Sequence, residues 1–415
     1  MTSIHNDAQI MIKNIIDDNM PQAAVENALR AHTFNGRIHM VAIGKAAWTM
    51  AKASSDFLGD RLAGGVVITK YGHSVGDLPN CSIYEAGHPV ADENTLAATL
   101  ECIKLAEGLT ENDELLFLVS GGGSALFECP LEGISLDDVQ NITNQMLSSG
   151  ADIVETNMVR KRLSSVKAGR FARLAAPAGV FAIVLSDVLG DRLDSIASGP
   201  AAPDKSTAHD AAHVIKKYGL KLTDLQKKYL AQETPKEINN VKTVITGSVR
   251  TLCESAAKTA KKLGYEPFVL TATMNCEAAE AGRLLASVAA DTKGGQGTLK
   301  PSCAIIAGGE TVVTIKGKGK GGRNQEMALA AAKGIAGLEN TLFFALGSDG
   351  TDGPTDAAGG IVDGMTLAKL VTAGIDIDKA LADNDSYNAL GAVGGLIFTG
   401  PTGTNVNDVA VVLCR

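Results

Sequence analysis

Aromatic side chains are scarce in this chain: 10 Phe, 6 Tyr and 1 Trp among 415 residues. A site with so few rings to stack on holds its ligand through backbone amides and charges, which favours a small phosphorylated acid over a flat cofactor. A net positive charge is also missing. Lys+Arg 38 against Asp+Glu 46 leave a formal charge of -8, which repels polyanions over the surface as a whole and disfavours a nucleic-acid partner. No C-x-x-C pair occurs. The seven cysteines (Cys81, Cys102, Cys129, Cys253, Cys276, Cys303, Cys414) are odd in number and scattered, as expected of reduced thiols in a cytoplasm. No run of about 18 uncharged apolar residues is present, and Met1-Thr-Ser-Ile-His-Asn-Asp7 lacks a basic segment followed by an apolar one, so neither membrane span nor export is expected. The string G-x-x-x-x-G-K-[ST] is absent as well, which excludes a Walker A loop.

Glycine, in contrast, is abundant, at 45 residues. With 45% hydrophobic and 20% charged residues the chain is neither disordered nor fibrous, and at about 100–200 residues per domain its length suggests two or three domains. Short β-rich runs alternate with Ala-rich helical segments. Strands are expected over 38–43, 65–69, 82–86, 114–120 and 180–186, with helices over 46–58, 92–106 and 157–174 and between 207 and 230. A polar, helix-breaking stretch over 231–240 reads as the domain junction. The alternation then restarts with strands over 241–246, 266–270, 302–307, 311–315 and 341–347 and helices over 250–263, 277–291 and 323–335. This pattern predicts two α/β domains with mainly parallel sheets, a larger Rossmann-like one over 1–240 and a smaller one over 241–415, with the active site in the cleft between them.

Several glycines fall directly after predicted strands, where open parallel sheets line their ligand crevice. In Ser120-Gly-Gly-Gly-Ser124 three glycines allow close backbone approach and expose amide donors suited to a phosphate or carboxylate. Lys45, after Ile43-Gly44, sits at a helix start, where the helix dipole disfavours a cation. Lys316-Gly-Lys-Gly-Lys-Gly-Gly-Arg323 formally contains G-x-G-x-x-G. The acid that a dinucleotide site carries about 20 residues on is missing, however, so a flexible cationic loop that closes over phosphates is the better expectation. Asp187, Asp191 and Asp194 have no Cys or His nearby and suit Mg²⁺ rather than zinc. A second acidic group, Ser348-Asp-Gly-Thr-Asp-Gly-Pro-Thr-Asp356, reads equally as turns. The acid-free run Arg160, Lys161, Arg162, Lys167, Arg170 and Arg173 reads as a solvated helix face. Its first turn, with Asn157 and Arg160, can still reach the site. His88, before Pro89, has no recognisable partner and is expected to be structural.

Together these motifs resemble the MOFRL-type (type II) glycerate kinases across essentially the whole chain. The resemblance rests on Ile43-Gly-Lys-Ala46, His88-Pro-Val-Ala-Asp92, Ser120-Gly-Gly-Gly-Ser124, Asn157-Met-Val-Arg-Lys161, Ser186-Asp-Val-Leu-Gly-Asp191, Ser198-Gly-Pro200, Gly308-Gly-Glu310, Gly322-Arg-Asn-Gln-Glu326 and Gly347-Ser-Asp-Gly-Thr-Asp-Gly-Pro354. It implies a C-terminal MOFRL domain, an active site between the domains, and phosphoryl transfer from ATP to D-glycerate, most often at the 2-hydroxyl, with Mg²⁺. The family's active-site lysine falls on Lys45 and its arginine on Arg323. Asp187 is the first candidate for positioning the glycerate hydroxyl or, with Asp191, the metal. Gly44, Ser120, Gly121, Gly122, Gly123, Ser124, Asn157, Arg160 and Glu310 are candidates for binding substrate or nucleotide. The implied partners are the small molecules glycerate and ATP, with no nucleic acid and no membrane, in a monomer or homodimer. The alternative is an NAD(P)H-dependent hydroxypyruvate reductase, a label that relatives of the family have carried; the charge and spacing of the 316–323 run argue against it. A non-enzymatic regulator is disfavoured because binding alone does not call for so many convergent charges.

Overall fold

The computed structural model describes residues 3–186, 192–295 and 297–415, and the chain folds as two units, Pro21–Thr246 and Met1–Met20 with Gly247–Arg415. The first unit carries six strands: β1 (Arg37–Ile43), β2 (Leu62–Lys70), β3 (Cys81–Ala86), β4 (Asp113–Val119), β5 (Gly179–Leu185) and β6 (Val241–Gly247). Their spatial order is β3-β2-β1-β4-β5-β6, and the pairs β1–β2, β2–β3, β1–β4 and β4–β5 are parallel. This is the 3-2-1-4-5-6 order of doubly wound nucleotide-binding sheets. The chain winds outward from β1 to β3, then returns to lay β4 on the other side of β1, so the direction of winding switches between β1 and β4. Every residue of β4 is buried, as a central strand covered on both faces requires. Phe117, Phe127 and Phe171, three of the few aromatics, meet in the core beneath it.

The second unit holds β7 (Glu266–Met274), β8 (Cys303–Gly309), β9 (Thr341–Gly347), β10 (Gly359–Asp363), β11 (Leu396–Ile397) and β12 (Asp408–Cys414), in the order β11-β10-β9-β12-β8-β7. Here the expected parallel sheet gives way to a mixed one. Only β7–β8 is parallel, while β8–β12, β12–β9, β9–β10 and β10–β11 are antiparallel. The reason is β12, a fully buried apolar strand that inserts between β8 and β9 and separates two strands whose helical crossover would otherwise pair them in parallel. The strand expected over 311–315 is absent; Val312 makes a single bridge to Glu277.

The boundary expected at 240 also differs from the division of the chain. β6 belongs to the first sheet; just before it, the Asn240 carbonyl accepts from the amide of Val180 at 2.7 Å. The helix Ile4–Asp18 belongs to the second unit. Its fully buried Asp7 accepts from the Tyr265 hydroxyl at 2.8 Å and the Arg415 guanidinium at 2.7 Å, so this helix and the residue after β12 share one polar anchor.

Candidate functional site

At the switch between β1 and β4, two strand-end turns are hydrogen-bonded to each other. The Ser120 amide and hydroxyl both donate to the Ile43 carbonyl, at 3.0 and 3.2 Å. The Lys45 amide donates to Gly121 O at 2.8 Å and the Ala46 amide to Ser120 Oγ at 3.1 Å. Gly44 has φ +113, and a Cβ there would lie 2.4 Å from the Ser120 carbonyl oxygen; only glycine fits. Gly122 adopts φ +84 ahead of a single helical turn, Gly123–Leu126. The Gly123 amide is spent on Ser120 O at 3.3 Å, but no described residue accepts from the amides of Gly121 or Gly122. Lys45 is half-buried beside them, and no described carboxylate pairs with it. An unpaired ammonium next to open amides is a receptor for an anion.

His88, expected to be structural, packs into this same turn. A Cβ on Gly122 would lie 3.1 Å from His88 Nε2 and 3.2 Å from Lys45 Cγ, so the imidazole and the lysine stem flank one glycine. Burial first, then the positive charges of Lys45, Lys70 and His73, pull the imidazole pKa down to about 4. The sequence signal was available: like Lys45, His88 lies two residues beyond the end of a strand.

Behind the loop, Ser124 Oγ meets Ser198 Oγ at 2.9 Å, and Ser198 reaches Asn157 Oδ1 at 3.5 Å. The Ser124 carbonyl accepts from Lys167 Nζ at 2.7 Å and Arg160 NH2 at 3.5 Å. Asn157 and Arg160 are thus brought to the loop. The basic helix that carries them departs from expectation twice. It ends at Leu163, left-handed Ala168 and Gly169 turn the chain, and a second helix runs over Arg170–Leu174. Its cations do not form a solvated face, since Arg162 and Lys167 are fully buried and Lys161 is 4% exposed. Their counter-charges come from remote positions: Glu128 for Lys167, and Asp204 at 3.6 Å from both Lys161 and Arg162. Burial pulls the Lys167 ammonium down to about 8 while Glu128 works against it. Asp187 and Asp191 lie outside the described residues. Among those described, no group of three His, Cys, Asp or Glu side chains could hold a metal ion, and Asp194 is engaged by Arg192 at 3.1 Å.

In the second unit, Arg323 opens the helix Arg323–Gly334. Its Nε and NH2 fork onto the carboxylate of Asp408, with NH2 to Oδ1 at 3.1 Å, and NH1 reaches Glu310 at 3.0 Å. The ends of β8 and β12 therefore converge on the predicted arginine. Asp408 escaped the sequence reading; its mark is a lone acid at the head of an apolar run. Burial lifts the Asp408 carboxyl well above its ordinary value against the pull of Arg323.

Asp352, from the second acidic group, caps this helix, accepting from the amides of Asn324 at 3.2 Å and Gln325 at 2.8 Å. Gly322 at the N-cap position has no side chain to do so. Asp352→Ala is expected to cost about 1–2 kcal/mol, in the range of lost helix caps, read as a lowered midpoint in chemical denaturation. A variant as stable as the parent would show that the cap contributes nothing.

The Gly/Lys run is a docked segment rather than a flexible loop. Asn384 Oδ1 accepts from the amides of Lys316 and Gly317, Asp383 Oδ1 from Lys318, and Asp385 Oδ1 from Lys320, at 2.7 to 3.0 Å. Its alternating glycines press on this turn: a Cβ on Gly317 or Gly319 would lie 2.3 or 2.4 Å from Asp383 or Asp385. With the Asn324 and Gln325 amides taken by Asp352 and those of residues 316–320 by the 383–385 turn, most amide donors of the G-x-G-x-x-G string are committed within the protein rather than to a pyrophosphate.

Comparison with known proteins places these features in context. Residues 7–231 match the family described as "Domain of unknown function (DUF4147)" and residues 303–408 match the MOFRL family. The chain is 52% identical over 403 residues to the D-glycerate 2-kinase of Thermotoga maritima, covering 97% of this chain and 96% of that protein. It is 43% identical over 389 residues to the glycerate 2-kinase of Pyrococcus horikoshii, covering 91% and 87%. The crystal structure of a glycerate kinase from Thermotoga maritima matches with a TM-score of 0.96 at 51% identity, covering 99% of each chain.

Proposed function

Because the chain belongs to the MOFRL-type glycerate kinase family, we propose that it transfers the γ-phosphoryl group of ATP to the 2-hydroxyl of D-glycerate, giving 2-phosphoglycerate, with Mg²⁺ on the nucleotide. The observation that carries this is the unpaired Lys45 beside the open amides of Gly121 and Gly122 at the sheet's switch point. Phosphoryl transfer asks the protein mainly for positioning and for charges that offset the phosphate oxygens. Lys45 supplies such a charge, with Gly44, Ser120, Gly121, Gly122, Gly123 and Ser124 shaping the surrounding backbone and Asn157 and Arg160 holding the loop from behind. Arg323, fixed by Asp408 and Glu310, is the candidate cation of the second unit.

A magnesium ion would spread the negative charge of the nucleotide oxygens. Asp187 and Asp191, hard oxygen donors, are the residues we propose for it; their chemistry fits a small divalent cation. The seven cysteines are all free, and among the described residues no helix is long and apolar enough to cross a membrane. We place the enzyme in the cytoplasm, acting on small molecules.

Phosphorus NMR of the product formed from D-glycerate and MgATP tests the assignment. The expected outcome is a resonance that co-migrates with added 2-phosphoglycerate. A 3-phosphoglycerate resonance overturns the regiochemistry alone, and no phosphoglycerate rejects the kinase. Oxidation of NADH or NADPH by hydroxypyruvate without ATP is not expected.

A further inference from the structure

We propose that His88 accepts the proton of the glycerate hydroxyl as that oxygen attacks the γ-phosphorus, an inference that rests on the kinase reading above. The imidazole flanks Gly122 on the side shared with Lys45, and it is half-buried. No described residue hydrogen-bonds either ring nitrogen; by contrast His73, one strand away, bonds the Lys45 carbonyl at 3.2 Å, and His32 bonds Glu114 at 2.6 Å. A ring lodged in the anion-receptor turn with both nitrogens uncommitted has an acceptor to offer the ligand.

The surrounding charges set its state. Lys45 faces it from the end of β1, and Lys70 and His73 from the end of β2. The two nearest acids along the chain are engaged elsewhere: Glu85 accepts from the Gly72 and Ser74 amides at 3.0 Å each, and Asp92 from the Tyr71 hydroxyl at 2.7 Å and the Thr95 amide at 2.9 Å. Burial and the charges of Lys45 and Lys70 keep the ring neutral at physiological pH, the form that can accept a proton. A bound carboxylate and phosphate offset those cations and raise its basicity when substrate is present, which is the direction a general base needs.

In the step itself the hydroxyl oxygen forms the new O–P bond, the bond from γ-phosphorus to the bridging oxygen breaks, and its electron pair leaves with ADP. The hydroxyl proton passes to the uncommitted His88 nitrogen and from there to solvent.

The test is steady-state kinetics of wild type, His88→Gln and His88→Ala from about pH 4 to pH 9, with thermal unfolding of each. General bases contribute roughly 10²–10⁴-fold, so His88→Gln should lower kcat by about a hundredfold or more. KM for D-glycerate and ATP should stay within about threefold, and the acidic limb of the kcat profile should vanish. Added imidazole should restore part of the His88→Ala turnover. A His88→Gln enzyme within about threefold of wild-type kcat overturns the proposal and leaves the kinase intact. So does a loss of kcat that tracks a lowered unfolding temperature and resists imidazole. A wild type that never phosphorylates glycerate removes the kinase reading, and the role of His88 with it.

Discussion

Lys45→Ala is expected to lower turnover by about a hundred- to a thousandfold, the loss found when one preorganised charge or donor is removed from a developing anion. Thermal stability should be unchanged. Both halves of the expectation come from the same geometry. The lysine backbone is tied on both sides, its amide to Gly121 O and its carbonyl to His73 and Thr69, and none of these bonds uses the side chain. The ammonium has no described carboxylate partner, and with Lys70 it faces the His88 ring, so the resting protein gains no ion pair from it and loses none on truncation. Lys45→Arg keeps the charge but replaces a compact ammonium with a planar fork, and partial activity is expected. Steady-state kcat and an unfolding scan on the same preparations check the pair. A stable Lys45→Ala enzyme with near-normal kcat would remove Lys45 from the mechanism.

Much of the first unit was legible in sequence because its determinants are local. The buried runs 38–43 and 114–119 end in Gly-Lys and Ser-Gly-Gly-Gly, and the helices between strands begin at caps such as Asp92, whose carboxylate accepts from Thr95. The strand order follows from short right-handed crossovers between neighbours. What escaped lies in partnerships across long sequence separation. Lys161, Arg162 and Lys167 read as solvent-facing because no acid stands near them, yet Glu128 and Asp204 reach them from 39 and about 40 residues away. The antiparallel character of the second sheet depends on β12, whose insertion between β8 and β9 leaves no mark in the alternation that precedes it. The Gly/Lys run misled for a related reason: alternating glycines signal either freedom or close contact, and only the 383–385 turn decides between them.

Asp408→Ala is expected to destabilise the protein by about 3 kcal/mol, the lower end for a broken buried pair. Arg323 keeps 33% of its side chain exposed and retains Glu310 as a partner. Activity should fall with it, because the fork that aims the guanidinium is gone. Asp408→Asn separates the two effects: it preserves shape and one acceptor, so it should cost far less stability while still loosening Arg323. The pH dependence follows from burial, which holds the carboxyl of wild-type Asp408 above its ordinary value, at about 7. Ionising it costs the folded state more than the unfolded chain, so its contribution to stability is fully present below the ordinary carboxylate range, near about pH 4, and is lost as pH rises through the folded value. Denaturation curves of wild type and Asp408→Asn should therefore differ most in acid, to the advantage of wild type, and converge or cross toward neutral pH. A difference that instead grows with pH would mean that Arg323 overrides burial and keeps Asp408 ionised throughout.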